Sequence, residues 1–209
     1  MTRKIQPISN LRGSGDRGLF RIIGGRWRGR RLNFPSMNGV RPTGDRVRET
    51  LFNWLQPVIE GARCLDLYAG SGALGLEALS RGAGEVVFVD RQAPLVRAIE
   101  GHLRTLGAEG ASCVCQDALR FLRGPAKTFD LVFLDPPFGT TDWSALCSVL
   151  ADGGWLAGGA RVYIEDAADA PQPILPEGWT LLRSAKAGNV RYHLASAPDR
   201  SPAAAGESE

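Results

Sequence analysis

The sequence predicts an α/β protein, a mostly parallel sheet covered by helices on both faces. Three observations carry that expectation. From Ala62 onward, short apolar runs alternate with amphipathic segments, as in strands buried on both sides and joined by crossover helices. A glycine loop, "AGSGALG" (69–75), stands between the first apolar run and the first amphipathic one. Acids close the apolar runs at Asp66, Asp90, Asp117 and Asp135, placing several carboxylates on the sheet edge where ligands bind in such folds.

Taken in order, residues 1–19 are glycine, serine and charge without periodicity, and read as a disordered basic arm. Residues 20–59 form an N-terminal unit. In it "FRIIGGRWRGRRLNFP" (20–35) reads as a hairpin whose glycines permit a tight turn. Arg26, Arg28, Arg30 and Arg31 surround Trp27 there, a combination that grips phosphates and stacks on bases. "RPTGDRVRETLFNWLQ" (41–56) reads as a helix with its lead-in, capped by Thr43 or Asp45 and stopped by Pro57. Val47, Leu51, Trp54 and Leu55 recur at helical spacing and mark the core face; Arg46, Arg48 and Glu49 fall on other faces.

Residues 60–196 hold the main domain. Strands are expected at "ARCLDLY", "EVVFVD", "ASCVCQD", "FDLVFLD", "RVYIED", "WTLLRSA" and "RYHLA". Helices are expected at "ALGLEALSRG", "PLVRAIEGHLRTLG", "ALRFLRG" and "WSALCSVL". The last two strands are separated only by "KAGNV" and should pair antiparallel at one edge. Residues 197–209 are poor in large apolar side chains and read as a disordered tail.

Composition narrows the function classes. The chain has 209 residues, 44% of them hydrophobic, which suits one main soluble domain. No apolar run approaches the roughly 18 residues of a membrane span. The basic N-terminus lacks the apolar stretch of a secretory signal, so a cytoplasmic protein is expected. Cys64, Cys113, Cys115 and Cys147 form no C-x-x-C pair and read as reduced thiols, with no metal site. The net charge of +3 is unevenly spread. Residues 1–48 carry 12 Lys/Arg against 2 Asp/Glu, and the remainder 13 against 20. A basic first quarter on an acidic body points to a polyanion partner.

Gly70, Gly72 and Gly75 satisfy G-x-G-x-x-G, and Asp90 follows 20 positions after Gly70, the pattern of a nucleotide-binding turn with an acid for the ribose hydroxyls. Three features favour S-adenosylmethionine over NAD. Asp66 lies four residues before Gly70, where a carboxylate meets a cationic ligand better than a pyrophosphate. Asp117, in "CQDAL", can accept from an adenine amino group. Asp66, Asp90 and Asp117 also share one rim. Taken singly, each acid also fits a cap or a turn.

"LDPPF" ends the fourth strand of the domain. Pro136 forces Asp135 toward extended geometry, and Pro136 and Pro137 offer no N–H. The corner presents oxygen acceptors and the Phe138 ring, which suits the exocyclic amine of a planar base. Such an amine is a poor nucleophile. Acceptors on its hydrogens hold it in place, and a nearby negative charge stabilises the cation formed on methyl transfer. No strong base is needed beforehand, and neither His102 nor His193, the only histidines, is expected to serve as one.

Together, "RIIGGRWRGRRL", "RPTGDRVRETLFNWL", "DLYAGSGALGLEALSRGA" and "LDPPF" closely resemble the RsmD family, bacterial methyltransferases acting on N2 of one guanine in 16S ribosomal RNA. The resemblance covers about residues 20–195. It implies a class I S-adenosylmethionine-dependent methyltransferase fold: a Rossmann-like, seven-stranded, mostly parallel sheet with an antiparallel edge strand, plus a small N-terminal β-hairpin extension. Carried over by motif, Asp66, Gly70 and Gly72 belong to the donor loop, with Tyr68 and Arg91 beside it. Asp90 would bind the ribose, and Asp117 with Ala118 the adenine. Asp135, Pro136, Pro137 and Phe138 would hold the guanine, while Arg41 to Thr43 would close over donor and target. The implied partner is 16S rRNA in the small ribosomal subunit or an assembly intermediate, met by a monomer. The alternatives are a DNA or other RNA amino-methyltransferase, for which the chain has no room for a separate target-recognition domain, and a non-catalytic RNA-binding assembly factor. A glutamine methyltransferase would show Asn in place of Asp135.

Overall fold

The computed structural model describes residues 17–37, 43–137, 139 and 142–199. The sequence readings that fall on residues 1–16 and 200–209, and on Arg41 and Phe138, lie outside the described residues.

Two strands, β1 (Arg17–Arg21) and β2 (Arg31–Pro35), pair antiparallel as the N-terminal hairpin. The first strand starts at Arg17, so residues 17–19 belong to the hairpin and not to a disordered arm. The connection contains a short 3-10 turn, Gly25–Trp27. Helix α1 (Asp45–Leu55) follows. The remainder alternates β3 (Arg63–Asp66), α2 (Ala73–Ser80), β4 (Glu85–Asp90), α3 (Ala93–Leu106), β5 (Ala111–Cys115), α4 (Ala118–Phe121), β6 (Phe129–Leu134), α5 (Trp143–Asp152), β7 (Leu156–Ala167), β8 (Thr180–Ala187) and β9 (Val190–Ser196).

Seven strands form one sheet in the order β5-β4-β3-β6-β7-β9-β8. The order reverses between β3 and β6, which pair parallel, so the glycine loop after β3 and the proline corner after β6 emerge side by side. This is the switch point where open α/β sheets bind ligands. The last two strands do pair antiparallel at one edge. The reversed strand is β9, one in from the edge, because it also pairs antiparallel with β7; β8 therefore runs with the rest.

The sheet separates two apolar cores. One packs α1, α2, α3 and the hairpin through Phe20, Leu51, Phe52, Leu76 and Ile99. The other packs α4 and α5 through Leu122, Leu146, Leu150 and Trp155. Burying each such side chain contributes roughly 1.5–3 kcal/mol. The tail is not wholly separate, since Ala197 is buried and its N–H donates to the Ala160 carbonyl at 2.9 Å.

The hairpin is docked by polar contacts. Ser80 Oγ accepts from the Trp27 N–H at 2.9 Å and donates to the Gly24 carbonyl at 2.6 Å. Gly25 has φ +71°, and a Cβ there would lie 1.8 Å from the Ser80 carbonyl oxygen, so only glycine lets the loop seat this closely. Arg26 donates to the Gly107 carbonyl at 3.1 Å, at the end of α3. Trp27 is 8% exposed. Its ring belongs to the core, which corrects the expectation that it stacks on RNA bases. Arg28, Arg30 and Arg31 are exposed.

Helix α1 also departs from expectation. Its N-cap is Gly44, without a side-chain cap, so neither Thr43 nor Asp45 fills that role. Val47, Leu51 and Leu55 are buried as expected, and Trp54 stacks on Tyr192 with ring centroids 5.4 Å apart. Arg48, expected off the apolar face, is fully buried: the hairpin and α2 cover a second side of this helix, with Phe20 and Glu77 against the guanidinium.

Candidate active site

A cavity of about 860 Å³ opens at the carboxyl edge of the sheet, within the usual range for a cofactor-sized ligand. It draws on residues more than a hundred positions apart, because five neighbouring strands end there. Asp117 stands just after β5, Asp90 ends β4, Asp66 ends β3, Asp135 follows β6, and Glu165 lies near the end of β7. The sheet order turns acids scattered along the chain into one row of five carboxylates.

The glycine loop is shaped by backbone geometry. Gly70 and Gly72 have φ of +52° and +78°, a region that disfavours side chains. Gly72 is the N-cap of α2. Asp66 Oδ2 accepts from the Gly75 N–H at 2.9 Å, which ties the end of β3 to the first turn of that helix. Asp90 holds the loop from the next strand. Its two oxygens accept from the Gly70 N–H at 2.8 Å and the Gln92 N–H at 2.7 Å. Asp117 caps α4 by accepting from the Arg120 N–H at 3.1 Å.

The proline corner meets the segment before α1. The Thr43 hydroxyl donates to Asp135 Oδ2 at 3.1 Å, joining positions 92 residues apart. On β7, the Tyr163 hydroxyl donates to Glu165 Oε2 at 2.5 Å. Asp135 and Glu165 are close neighbours, one step beyond the paired Leu134 and Ile164.

Burial dominates the electrostatics. It pushes Asp66 up to about 7, helped by the charge of Asp90 and opposed by the Gly75 N–H. It also pushes Glu165 up to about 7, opposed by the Tyr163 hydroxyl. Asp135 is held well above the usual carboxylate range by burial, then by the charges of Glu165 and Asp66, with the Thr43 hydroxyl opposing. Tyr163 is raised for the same reasons, burial first, so it stays a hydrogen-bond donor. Among the described lining residues the only Lys or Arg is Arg91, which is exposed. A site with this many buried carboxylates and so little positive charge favours a cationic ligand, which would draw them toward their ionised forms.

The expected donor-site residues Thr43, Asp66, Tyr68, Gly70, Asp90, Arg91, Asp117 and Ala118 all line the cavity, as do Asp135, Pro136 and Pro137. Gly72 shapes the loop without lining it. Arg26, Arg28, Arg30 and Arg31 lie apart from the cavity, on the hairpin and its turn. Sequence reasoning missed Glu165 and the lining residues Asn189, from the β8–β9 turn, and Val190, which opens β9. For Glu165 a signal existed, since "YIED" closes an apolar run with acids just as "VFLD" does.

Comparison with known proteins places this arrangement in context. The family model described as Conserved hypothetical protein 95 matches residues 20–196. The ribosomal RNA small subunit methyltransferase D of Escherichia coli K12 is 46% identical over 177 residues, covering 85% of this chain and 89% of that protein. Its Haemophilus influenzae counterpart is 46% identical over 182 residues, covering 85% and 94%. The solved structure of yhhF from Escherichia coli superposes with a TM-score of 0.82 at 43% identity, covering 88% of this chain and all of that one.

Proposed function

The chain belongs to the ribosomal RNA small subunit methyltransferase D family, and from that premise we propose that it transfers a methyl group from S-adenosylmethionine to the exocyclic N2 amine of one guanine in 16S rRNA. The observation that carries this reading is the junction of glycine loop and proline corner in one cavity rich in buried carboxylates. The names of the relatives favour RNA over DNA as the polymer.

When bound, S-adenosylmethionine supplies an electrophilic methyl group on a positively charged sulfur. Asp90, its carboxylate oriented by two backbone N–H groups, would accept from the ribose hydroxyls. Asp66, buried and facing the cavity, favours the cationic end of the donor. Asp135 accepts from the target amine and stabilises the positive charge that develops on its nitrogen. Pro136 and Pro137 keep backbone donors away from that amine. Transfer would exchange the methyl's bond to sulfur for one to nitrogen, leaving a neutral thioether, and the nitrogen would lose a proton that Asp135 or its neighbour Glu165, when ionised, would receive. A target base reaching so recessed a corner must leave its stack. The reaction is assigned to the cytoplasm, with the small subunit or an assembly intermediate as substrate and one protein copy per target.

Protonation should tune donor binding. Asp66 and Glu165 sit near 7 in the free protein, so both are largely protonated at pH 6, and a cationic ligand favours their ionised forms. Donor affinity should therefore rise between pH 6 and 7.5, with protons released on binding. Calorimetry in buffers of differing ionisation enthalpy measures this; affinity that is flat with pH and free of proton release would disprove the pairing.

The hairpin should supply the polyanion contacts. Changing Arg28, Arg30 and Arg31 to Gln is expected to weaken RNA binding and to reduce the slope of log K against log salt by about 0.7–0.9 for each phosphate no longer neutralised. A slope unchanged in the triple variant would remove the hairpin from the RNA interface.

The function itself is tested with labelled donor, free rRNA and isolated small subunits, mapping the modified nucleotide. A single N2-methylguanine in 16S rRNA is expected; label on another base or only in DNA would overturn the assignment.

A further inference from the structure

Arg48 is the largest buried charge that the reaction above leaves without a task. Its side chain is fully enclosed, yet each part of the guanidinium has an acceptor. Nε donates to the Thr43 carbonyl at 2.9 Å, one terminal nitrogen to Asp45 Oδ1 at 2.6 Å, and the other faces Glu77 Oε2 at 3.4 Å. Glu77, also fully enclosed, accepts from the Ile23 N–H at 2.7 Å, the Gly24 N–H at 2.8 Å and Arg81 Nε at 2.7 Å. At the far end, the Thr43 hydroxyl donates to Asp135 Oδ2. Hydrogen bonds lead from the hairpin through Glu77 and Arg48 to the Thr43 carbonyl, and the Thr43 residue itself connects that carbonyl to the hydroxyl bonded at the proline corner.

A buried ion pair is a poor way to gain stability, because apolar residues of the same volume often do as well. What it supplies here is direction. Arg48 grips the backbone of Thr43, and a β-branched residue whose backbone is fixed has few side-chain rotamers left. Holding that carbonyl therefore aims the hydroxyl.

We infer that Arg48 is a positioning residue for the reaction at Asp135. By fixing Thr43 against the docked hairpin, it keeps the Thr43 hydroxyl on the carboxylate that receives the target amine. A seated hairpin and a competent corner are then one arrangement. This rests on the reading of Asp135 as the amine-holding carboxylate.

The groups facing Asp135 are Thr43 from the segment before α1, Asp66 from β3, and Glu165 and Tyr163 from β7. Of these, the two acids oppose its ionisation and the Thr43 hydroxyl favours it. Removing the hydroxyl should therefore raise the pH at which Asp135 ionises.

The test follows the Asp135 carboxyl by carbon-13 NMR in the full chain, beside the pH profile of kcat on small subunits. Thr43→Val should raise the Asp135 midpoint and the acid limb of kcat by about one pH unit, and Thr43→Ser should restore both. In Arg48→Lys a single ammonium cannot span Thr43, Asp45 and Glu77 together. Its midpoint should rise in the same direction, and the double variant should move no further than Thr43→Val alone. In Arg48→Lys, which lies outside the cavity lining, donor affinity should stay within about twofold while kcat falls, as expected for a group acting only on the transition state.

An Asp135 midpoint unmoved in Arg48→Lys would reduce Arg48 to packing and overturn the proposal. So would shifts that simply add, or no shift in Thr43→Val. Should Arg48→Lys not fold, Glu77→Gln, which keeps the shape and weakens the next link, is read in its place by the same criteria. The NMR shifts appearing in a protein that methylates no RNA would support the relay while removing the functional reading.

Discussion

Asp135→Ala is expected to lower kcat by at least about 10²–10³-fold while leaving donor affinity within a few-fold, the loss typical of removing one preorganised group that acts on developing charge. The expectation comes from where the carboxylate sits. It follows β6, beside the glycine loop but not part of it, and it accepts a hydrogen bond from Thr43 rather than from the loop backbone. The donor loop is tied instead by Asp66 and Asp90. Asp90→Ala should show the opposite pattern. It strips the acceptor from the Gly70 and Gln92 N–H groups, so donor affinity should fall by about 10- to 100-fold, as when a hydrogen bond to a charged group is removed. Calorimetry with S-adenosylmethionine, paired with single-turnover methylation, separates the two. Equal losses of donor affinity in both variants would sink the division of labour between corner and loop.

The second large effect falls on stability. Glu77→Ala should destabilise the protein by about 3–5 kcal/mol, because it leaves a buried arginine short of its partner. The variant also orphans the Ile23 and Gly24 N–H groups. For a chain of this size that corresponds to a melting temperature lower by roughly 6–20 °C. Asp45 still pairs with Arg48, but its side chain is half exposed and cannot replace an enclosed carboxylate. Hydrogen exchange should locate the damage in the hairpin, with residues 22–30 losing protection before the sheet does. A melting temperature within about 3 °C of wild type would show that the ion network is dispensable, since that is the size of a ~1 kcal/mol change. Glu77→Gln should fall in between: it keeps the shape and one acceptor oxygen, but turns the other oxygen into an NH2 donor and loses the charge.

Residue by residue, the reading from sequence divides along a physical line. The glycine loop with Asp66 and Asp90 was legible because its partners lie within one strand-turn-helix-strand unit, where spacing alone fixes geometry. The seven strands and the antiparallel final pair were legible from apolar runs and the short link between 185 and 191. The proline corner was legible because Pro136 and Pro137 constrain their own backbone. Trp27 misled, because an aromatic among arginines looks the same in sequence whether its ring faces RNA or the core. Arg48 misled for a related reason: helical spacing shows one apolar face, and this helix is covered on a second side by a hairpin some twenty residues earlier in the chain.

What the sequence determined by itself was the set of local units: hairpin, glycine turn, proline corner and the strands that carry them. Their backbone preferences depend on neighbours a few positions away. Only the tertiary structure decided that β6 lies beside β3, that Glu165 completes the row of acids, and that Glu77, Arg48 and Thr43 link the hairpin to Asp135. Apart from the five-residue step between Thr43 and Arg48, those links join residues separated by 29 to 92 positions. Their energies exist only once burial removes water from both partners, a condition no stretch of sequence displays.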